Sequence, residues 1–440
     1  MRSSLHRRLT APIAIAAIAG LTLAGCSGGP GTTTADAGAE GDGTVSVYGT
    51  ISETEAELLE QSWADWETES GIDIQYEASK EFETQISIRA QGGNAPDLAI
   101  FPQPGLMADL ATRDYLKPAP QSVEDNVDEF WSSDWKAYGT VEDTFYGAPL
   151  MASVKGFVWY SPAKFAEWGV EVPETWDDLL AVTATIQEKS GTAPWCAGFG
   201  SGEASGWPGT DWVEDLVLRQ AGPEVYDQWV NNEIPFTDPA IASALDAVGE
   251  ILLNPEYVNA TLGDVASINS TAFGDVATPI ADGTCAMTHQ ASFFDGFITD
   301  AGGEVGPDGD VWAFLTPSVE AGSGQAVTGG GEIVAAFSDD ADTQAVQTYL
   351  SSDDWANSRV SLGGVISANT GLDPANAQSP ILQEAITILQ DENTTFRFDG
   401  SDLMPGAVGS GTFWAGMVDW INGSPTDEVL TSIESGWPSS

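Results

Sequence analysis

The chain has 440 residues, with 14 Lys and Arg against 66 Asp and Glu and a formal net charge of −52. Such a charge repels nucleic acid and anionic lipid headgroups, which excludes both as electrostatic partners. An aromatic content of 10%, with 16 Trp, excludes disorder over most of the length, and the length itself is too great for one compact core and predicts two lobes.

Arg2, Arg7 and Arg8 open the chain, and an apolar run from Ala11 to Leu23 follows. The run is shorter than the ~20 residues a bilayer span needs, so residues 1–25 read as a signal peptide. Leu23-Ala24-Gly25-Cys26 resembles the bacterial lipobox, where cleavage before the cysteine leaves a thiol that carries a diacylglycerol. The alternative is an ordinary secretory peptide with a chance cysteine. Residues 26–44 are rich in Gly, Thr, Ala and acid without apolar periodicity, the composition of a flexible tether.

Val45 to Tyr48 is a predicted strand, and Ser52 with Glu55 has the spacing of a capping box opening a helix. Leu58, Leu59, Ser62, Trp63 and Trp66 keep helical spacing, and Gly71 ends the helix. Ile72 to Tyr76 alternates as a second strand, a short helix runs from Phe82 to Arg89, and Leu98 to Phe101 is a third strand. This alternation implies parallel pairing in an α/β sheet, with ligands held in loops beyond the carboxyl ends of the strands. The pattern resets after Gly147-Ala148-Pro149. Gly156 to Tyr160 is a strand, Thr175 to Glu188 an amphipathic helix, Cys196 to Phe199 the start of another strand, and 329–369 a third α/β stretch. Gly329-Gly330-Gly331 lacks the Lys-Ser/Thr of a phosphate loop and reads as a hinge turn needing positive φ. With Cys26 lipidated, Cys196 and Cys285 are left to pair, as leftover cysteines in exported proteins do. A metal site is the poorer reading, because His289 is the only histidine past the leader and no Cys-x-x-Cys occurs.

From Thr44 onward the chain resembles the extracytoplasmic solute-binding proteins of ABC importers, in the group that includes the maltose-binding protein. Ala95-Pro96-Asp97-Leu98 with Phe101-Pro102-Gln103-Pro104-Gly105, Tyr146-Gly147-Ala148-Pro149 with Trp159-Tyr160-Ser161-Pro162, and Pro173-Glu174-Thr175-Trp176 carry it. So do Gly283 to Thr288 with Phe293, and Leu403-Met404-Pro405 with Phe413-Trp414. Within that group Pro194-Trp195-Cys196, the run Gly206 to Asp215 and the run Arg397 to Pro405 are most similar to α-glucoside-binding proteins. The resemblance implies a class II periplasmic-binding-protein fold, two α/β lobes with the sugar between them. It places lobe 1 at 45–152 and 328–366, and lobe 2 at 153–327 and 367–440. It also implies a sugar ligand, permease subunits as partners, a lipid anchor on the outer face of the cell membrane, a monomer and no cofactor.

A pyranose has an apolar face and a rim of hydroxyls, so its site needs flat aromatics and fixed polar groups. The resemblance puts Trp207, Phe293 and Trp414 in cleft loops, with Phe101 a further candidate. For Trp207, flanked by Gly206 and Pro208, the readings are cleft wall and core; for Phe101 and Phe293, cleft and ordinary packing. Asp211, Asp402 and Glu203 are the candidate acceptors, strong ones for hydroxyl donors. Lys155 and Arg397 stand out because only 11 of the 14 positive residues remain once Arg2, Arg7 and Arg8 leave; the alternative for each is a surface salt bridge. Gln103 and Gln290 complete the set.

A secreted glycosidase is the rival function, since it too would show aromatics and paired acids. The lipobox, tether and two-lobe layout argue against it. A Ser-His-Asp hydrolase would have only His289 past the leader, and no Gly-x-Ser-x-Gly elbow occurs beyond Gly29. An adhesin or wall scaffold would show repeats or Thr/Pro-rich stalks, and neither is present.

Overall fold

The computed structural model describes residues 41–320, 324–391 and 393–438. The leader, the lipobox with Cys26 and most of the tether lie outside the described residues. No helix among the described residues is long and apolar enough to cross a membrane.

Strand Thr44–Gly49 pairs in parallel with Asp73–Ala78 on one side and Leu98–Phe101 on the other. Each link between them carries a crossover helix, Glu53–Ser70 and Phe82–Gly92, as parallel pairing requires. The first helix closes at Gly71, whose φ of 78° is the left-handed cap that the sequence predicts. The predicted capping box does not form, because Ser52 sits at the N-cap but its side chain makes no cap hydrogen bond. Leu98–Phe101 is buried at all four residues, as expected for a strand covered on both faces.

Two long strands carry the chain out of this sheet and back. Gly147–Val154 pairs antiparallel with Ala326–Ala336, from Gly329 opposite Val154 to Ala335 opposite Gly147, with a bulge between Glu332 and Ile333. The upper half of Ala326–Ala336 pairs with Leu98–Phe101, and its lower half with Thr395–Phe398. The second sheet is small and antiparallel: Phe157–Tyr160 in the centre, Met287–Gln290 and Trp312–Leu315 at the edges. Helices Trp176–Ser190, Trp207–Ala221, Pro239–Leu252 and Trp414–Ile421 pack around it. Their core includes Trp195, Trp212, Trp229 and Trp420, each at 2% exposure or less.

Two local expectations are corrected, and the expected disulfide is present. Gly329-Gly330-Gly331 is not a positive-φ turn but lies within a strand. Its glycines answer to close approach instead: a Cβ at Gly331 would stand 2.3 Å from the Met151 carbonyl oxygen, and one at Gly329 2.6 Å from that of Ser153. Cys196 to Phe199 forms no strand. Trp195 makes single bridges to Val258 and Met287, and Cys196 is tied by its disulfide to Cys285, with Cα atoms 6.0 Å apart. That spacing is ordinary for a disulfide.

Candidate functional site

The site grows from the residue that follows the outbound strand. Lys155 continues that pairing, its N–H donating to the Thr328 carbonyl at 2.8 Å. Its side chain, 9% exposed, ends between Asp211 and Asp399; Nζ lies 2.8 Å from Asp211 Oδ1 and in contact with Asp399 Oδ2. Asp211 stands on helix Trp207–Ala221, one turn before Glu214 and Asp215, so all three carboxylates share one buried face. Glu214 accepts the backbone N–H groups of Gly400 and Ser401 at 2.9 and 3.0 Å. Asp399 caps the same turn, accepting from Ser401 Oγ at 2.7 Å and from the Asp402 N–H at 3.0 Å. Asp215 belongs to a neighbouring pair, 2.9 Å from Arg219 Nε and 3.5 Å from His289 Nε2.

Four carboxylates therefore crowd one buried ammonium. Burial pushes Lys155 down, but Asp211 and Asp399 outweigh it and hold its pKa well above the ordinary lysine value. Burial likewise pushes Asp399 up, but Lys155 prevails and leaves it at about 2. Asp211, Glu214 and Asp402 are raised by burial and by the Asp399 charge, because one ammonium cannot compensate them all. Oxygens of Asp211, Glu214 and Asp399 lie within 4.8 Å of one another, the spacing of a metal site. Lys155 Nζ touches two of these carboxylates and Glu214 is engaged by backbone amides, so the trio fits an ammonium, not a metal ion.

Beside this hub lies an aromatic surface. Trp207, first residue of its helix, is half-buried, whereas Trp212, farther along the same helix, is 2% exposed. The Trp207 ring centroid lies 5.4 Å from Lys155 Nζ, 5.0 Å from the Phe273 ring and 6.1 Å from Phe293. Phe297, 38% exposed, extends the group through Phe273 at 5.2 Å. Lys155, Asp211, Asp402, Trp207 and Phe293 are thus brought together.

Glu203 and Trp414 meet nearby on the wall of a cavity of about 310 Å³. Helices Phe82–Gly92 and Pro104–Ala111 supply Glu83, Thr84, Leu106 and Asp109, and Ser410 with Trp414 closes the other side. Of the adjacent rings, Phe413 is core at 1% exposure while Trp414 lines the cavity. A seven-residue π-helix, Ala407–Phe413, precedes Trp414; such segments frequently accompany functional sites. Gln103, 6% exposed, donates to Glu83 at 3.2 Å, and its Oε1 has no partner.

Three predicted residues are placed elsewhere. Phe101 is fully buried against Phe82, with ring centroids 5.5 Å apart, and offers no face to a ligand. Arg397 forms a bidentate pair with Asp227 at 2.6 and 2.8 Å, the surface salt bridge that was its alternative reading. Gln290 is buried with Oε1 accepting from its neighbour, the Ala291 N–H. Sequence reasoning missed Asp399, Glu214, Glu83 and Phe273. A second buried carboxylate–cation cluster also went unread: Glu55, Glu332 and Arg359. Burial and the Glu55 charge raise Glu332 to about 7.

The profile of the bacterial extracellular solute-binding protein family matches residues 50–358. The chain is 38% identical over 421 residues to the osmoprotective compounds-binding protein GgtB of Synechocystis sp., covering 95% of this chain and 97% of that protein. It is 38% identical over 415 residues to the alpha-glucosides-binding periplasmic protein AglE of Rhizobium meliloti, covering 90% and 87%. Among solved structures, a chitin oligosaccharide binding protein superposes with a TM-score of 0.74 at 19% identity, covering 89% of this chain and 97% of that one. RafE in complex with raffinose superposes at 0.69 with 18% identity, covering 89% and 98%. These superpositions show the two-lobe fold of sugar-binding proteins, and the profile and the two relatives show descent. The chain is a member of the bacterial extracellular solute-binding protein family.

Proposed function

We propose that this protein is the receptor of an ABC importer and that its solute is an α-glucoside or related oligosaccharide. The observation that carries this reading is the half-buried Trp207, set among Phe273 and Phe293 and beside the Lys155 hub. A flat ring next to fixed carboxylates matches the apolar face and hydroxyl rim of a pyranose. The relative named for α-glucosides, matched over 90% of this chain, supports the choice of sugar. The reading includes a monomer held to the outer membrane face by a lipid on Cys26 and delivery to permease subunits.

A glycosidase needs one carboxyl free to donate a proton and another free to attack or to activate water. Here Asp399 is paired with Lys155 and Glu214 is engaged by two backbone amides, which supports binding without cleavage. Titration calorimetry with sucrose, trehalose and maltose tests the proposal. Saturation by at least one, with no product after prolonged incubation, is expected; no heat from any of them rejects the sugar assignment. A ligand confined to the native state should also stabilise it by about 2.7 kcal/mol at a hundredfold excess over Kd. Retention of a Cys26→Ala variant in the membrane fraction would reject the anchor.

A further inference from the structure

The sugar reading turns on the Trp207 ring, and its neighbours differ in how firmly they can hold it. Trp207 opens its helix after Gly206, whose φ of 110° sets the entry of the chain. Phe273 and Phe293 meet the indole at inclinations of 67° and 58°, apolar contacts on one part of its surface. On the hub side Lys155 Nζ stands over the ring, 5.4 Å from its centroid, within the ~6 Å reach of a cation–π contact.

Lys155 is itself fixed along its length. Its N–H donates to the Thr328 carbonyl at 2.8 Å. A Cβ at Gly330 would lie 3.2 Å from its Cε, so the stem runs along the return strand Ala326–Ala336. At the tip an ammonium has three N–H groups, and Asp211 and Asp399 each accept from it. Asp211 follows Trp207 by four residues on one helix, so a single ammonium spans the ring and the carboxylate of the same turn. Asp399 is held as well, since its other oxygen accepts from Ser401 Oγ and the Asp402 N–H. A sugar hydroxyl is a neutral acceptor and a weaker partner for an ammonium than either carboxylate. Were Lys155 to follow a solute, it would leave two buried carboxylates without their partner.

We infer that Lys155 is a positioning residue: it orients the Trp207 ring for the solute and makes no contact with the solute itself. The inference rests on the sugar-binding reading above. A double-mutant cycle read by calorimetry on the full chain, with whichever of sucrose, trehalose and maltose binds, separates the two roles. Lys155→Met should weaken binding about tenfold in the parent, and change it by no more than about twofold when Trp207→Ala is already present. An equal loss in both backgrounds would make Lys155 a solute ligand and overturn the inference, as would no loss in the parent. Should Lys155→Met not fold, Lys155→Gln takes its place, because it keeps a donor for Asp211 and removes the charge from the ring. A second readout needs no sugar. In protein labelled with 5-fluorotryptophan, the fluorine line of Trp207 is the one that Trp207→Phe removes. It should be a single narrow line in the parent and should broaden or split in either Lys155 variant; an unchanged line overturns the inference. If none of the three disaccharides binds, the sugar reading fails, and the role of Lys155 toward the ring is decided by that line alone.

Discussion

Two clusters in this molecule set several carboxylates around one buried cation, and they solve the problem differently. In the upper cluster Lys155 contacts both Asp211 and Asp399, and Asp399 stays ionised down to about pH 2. In the lower one Arg359, fully buried, donates Nη1 to the Gly363 carbonyl at 2.8 Å, while its Nε and Nη2 have no partner. Glu332 and Glu55 feel Arg359 only at a distance, so burial wins and both are raised. Contact, not the mere presence of a cation, decides whether a desolvated carboxyl stays charged.

Removing the two cations in turn breaks the comparison most sharply. Lys155→Met leaves Asp211 and Asp399 buried without their ion pair and should cost about 3–5 kcal/mol of unfolding free energy in a denaturant titration. Arg359→Met removes a guanidinium with one hydrogen bond and should cost no more than about 1–2 kcal/mol. Equal losses would show that both cations act through the general field alone.

The platform beside the upper cluster is tested by Trp207→Ala. Sugar affinity should fall by about 2–4 kcal/mol, while sugar-free stability changes much less, because the ring is half-buried. A loss of about 3–5 kcal/mol in the sugar-free protein with affinity kept would mark the ring as core.

The lower cluster makes a pH prediction. Glu332 titrates near 7 when folded against 4.5 ordinarily, so the native state holds this proton more tightly than the unfolded chain. Its contribution is therefore greatest below about pH 4.5 and is lost as pH rises to 7. Glu332→Gln should be neutral at pH 4 and stabilising by about 1–3 kcal/mol at pH 8; a difference that does not change with pH would contradict the raised pKa. The smallest effect belongs to Arg397→Ala, which breaks a partly exposed pair with Asp227. It should cost at most about 1 kcal/mol of stability and leave sugar affinity unchanged.

How far the sequence reveals these regions depends on whether the signal is local. The strand–helix alternation of residues 44–101 is legible because capping glycines and periodicity act within a few residues. Trp207 stands out through its neighbours Gly206 and Pro208, but they read as a loop, and the helix that it opens is not legible. Asp399 and Glu214 are not: in a chain with 66 acids nothing singles them out, and their partners lie 244 and 186 residues away. Scarce cations mislead for the same reason, since so acidic a surface supplies a partner for Arg397 wherever it falls. Phe101 ends a strand that is covered on both faces, and periodicity in so short a run cannot tell a rim from a core.

The glycine run at 329–331 has a mechanical consequence. Gly331 and Gly329 pair with Ala152 and Val154, and a methyl group on either would strike the carbonyl oxygen of Met151 or Ser153, so the two strands touch backbone to backbone there. A ribbon without interlocking side chains resists shear mainly through its ladder hydrogen bonds, so it can flex like a leaf spring while its two strands stay in register. A change of angle between the two sheets would load those bonds, so the amides of residues 329–331 are the places to read it. Faster deuterium exchange at these amides on adding solute is the expected sign of such a change, and unchanged rates would show that the ribbon stays rigid.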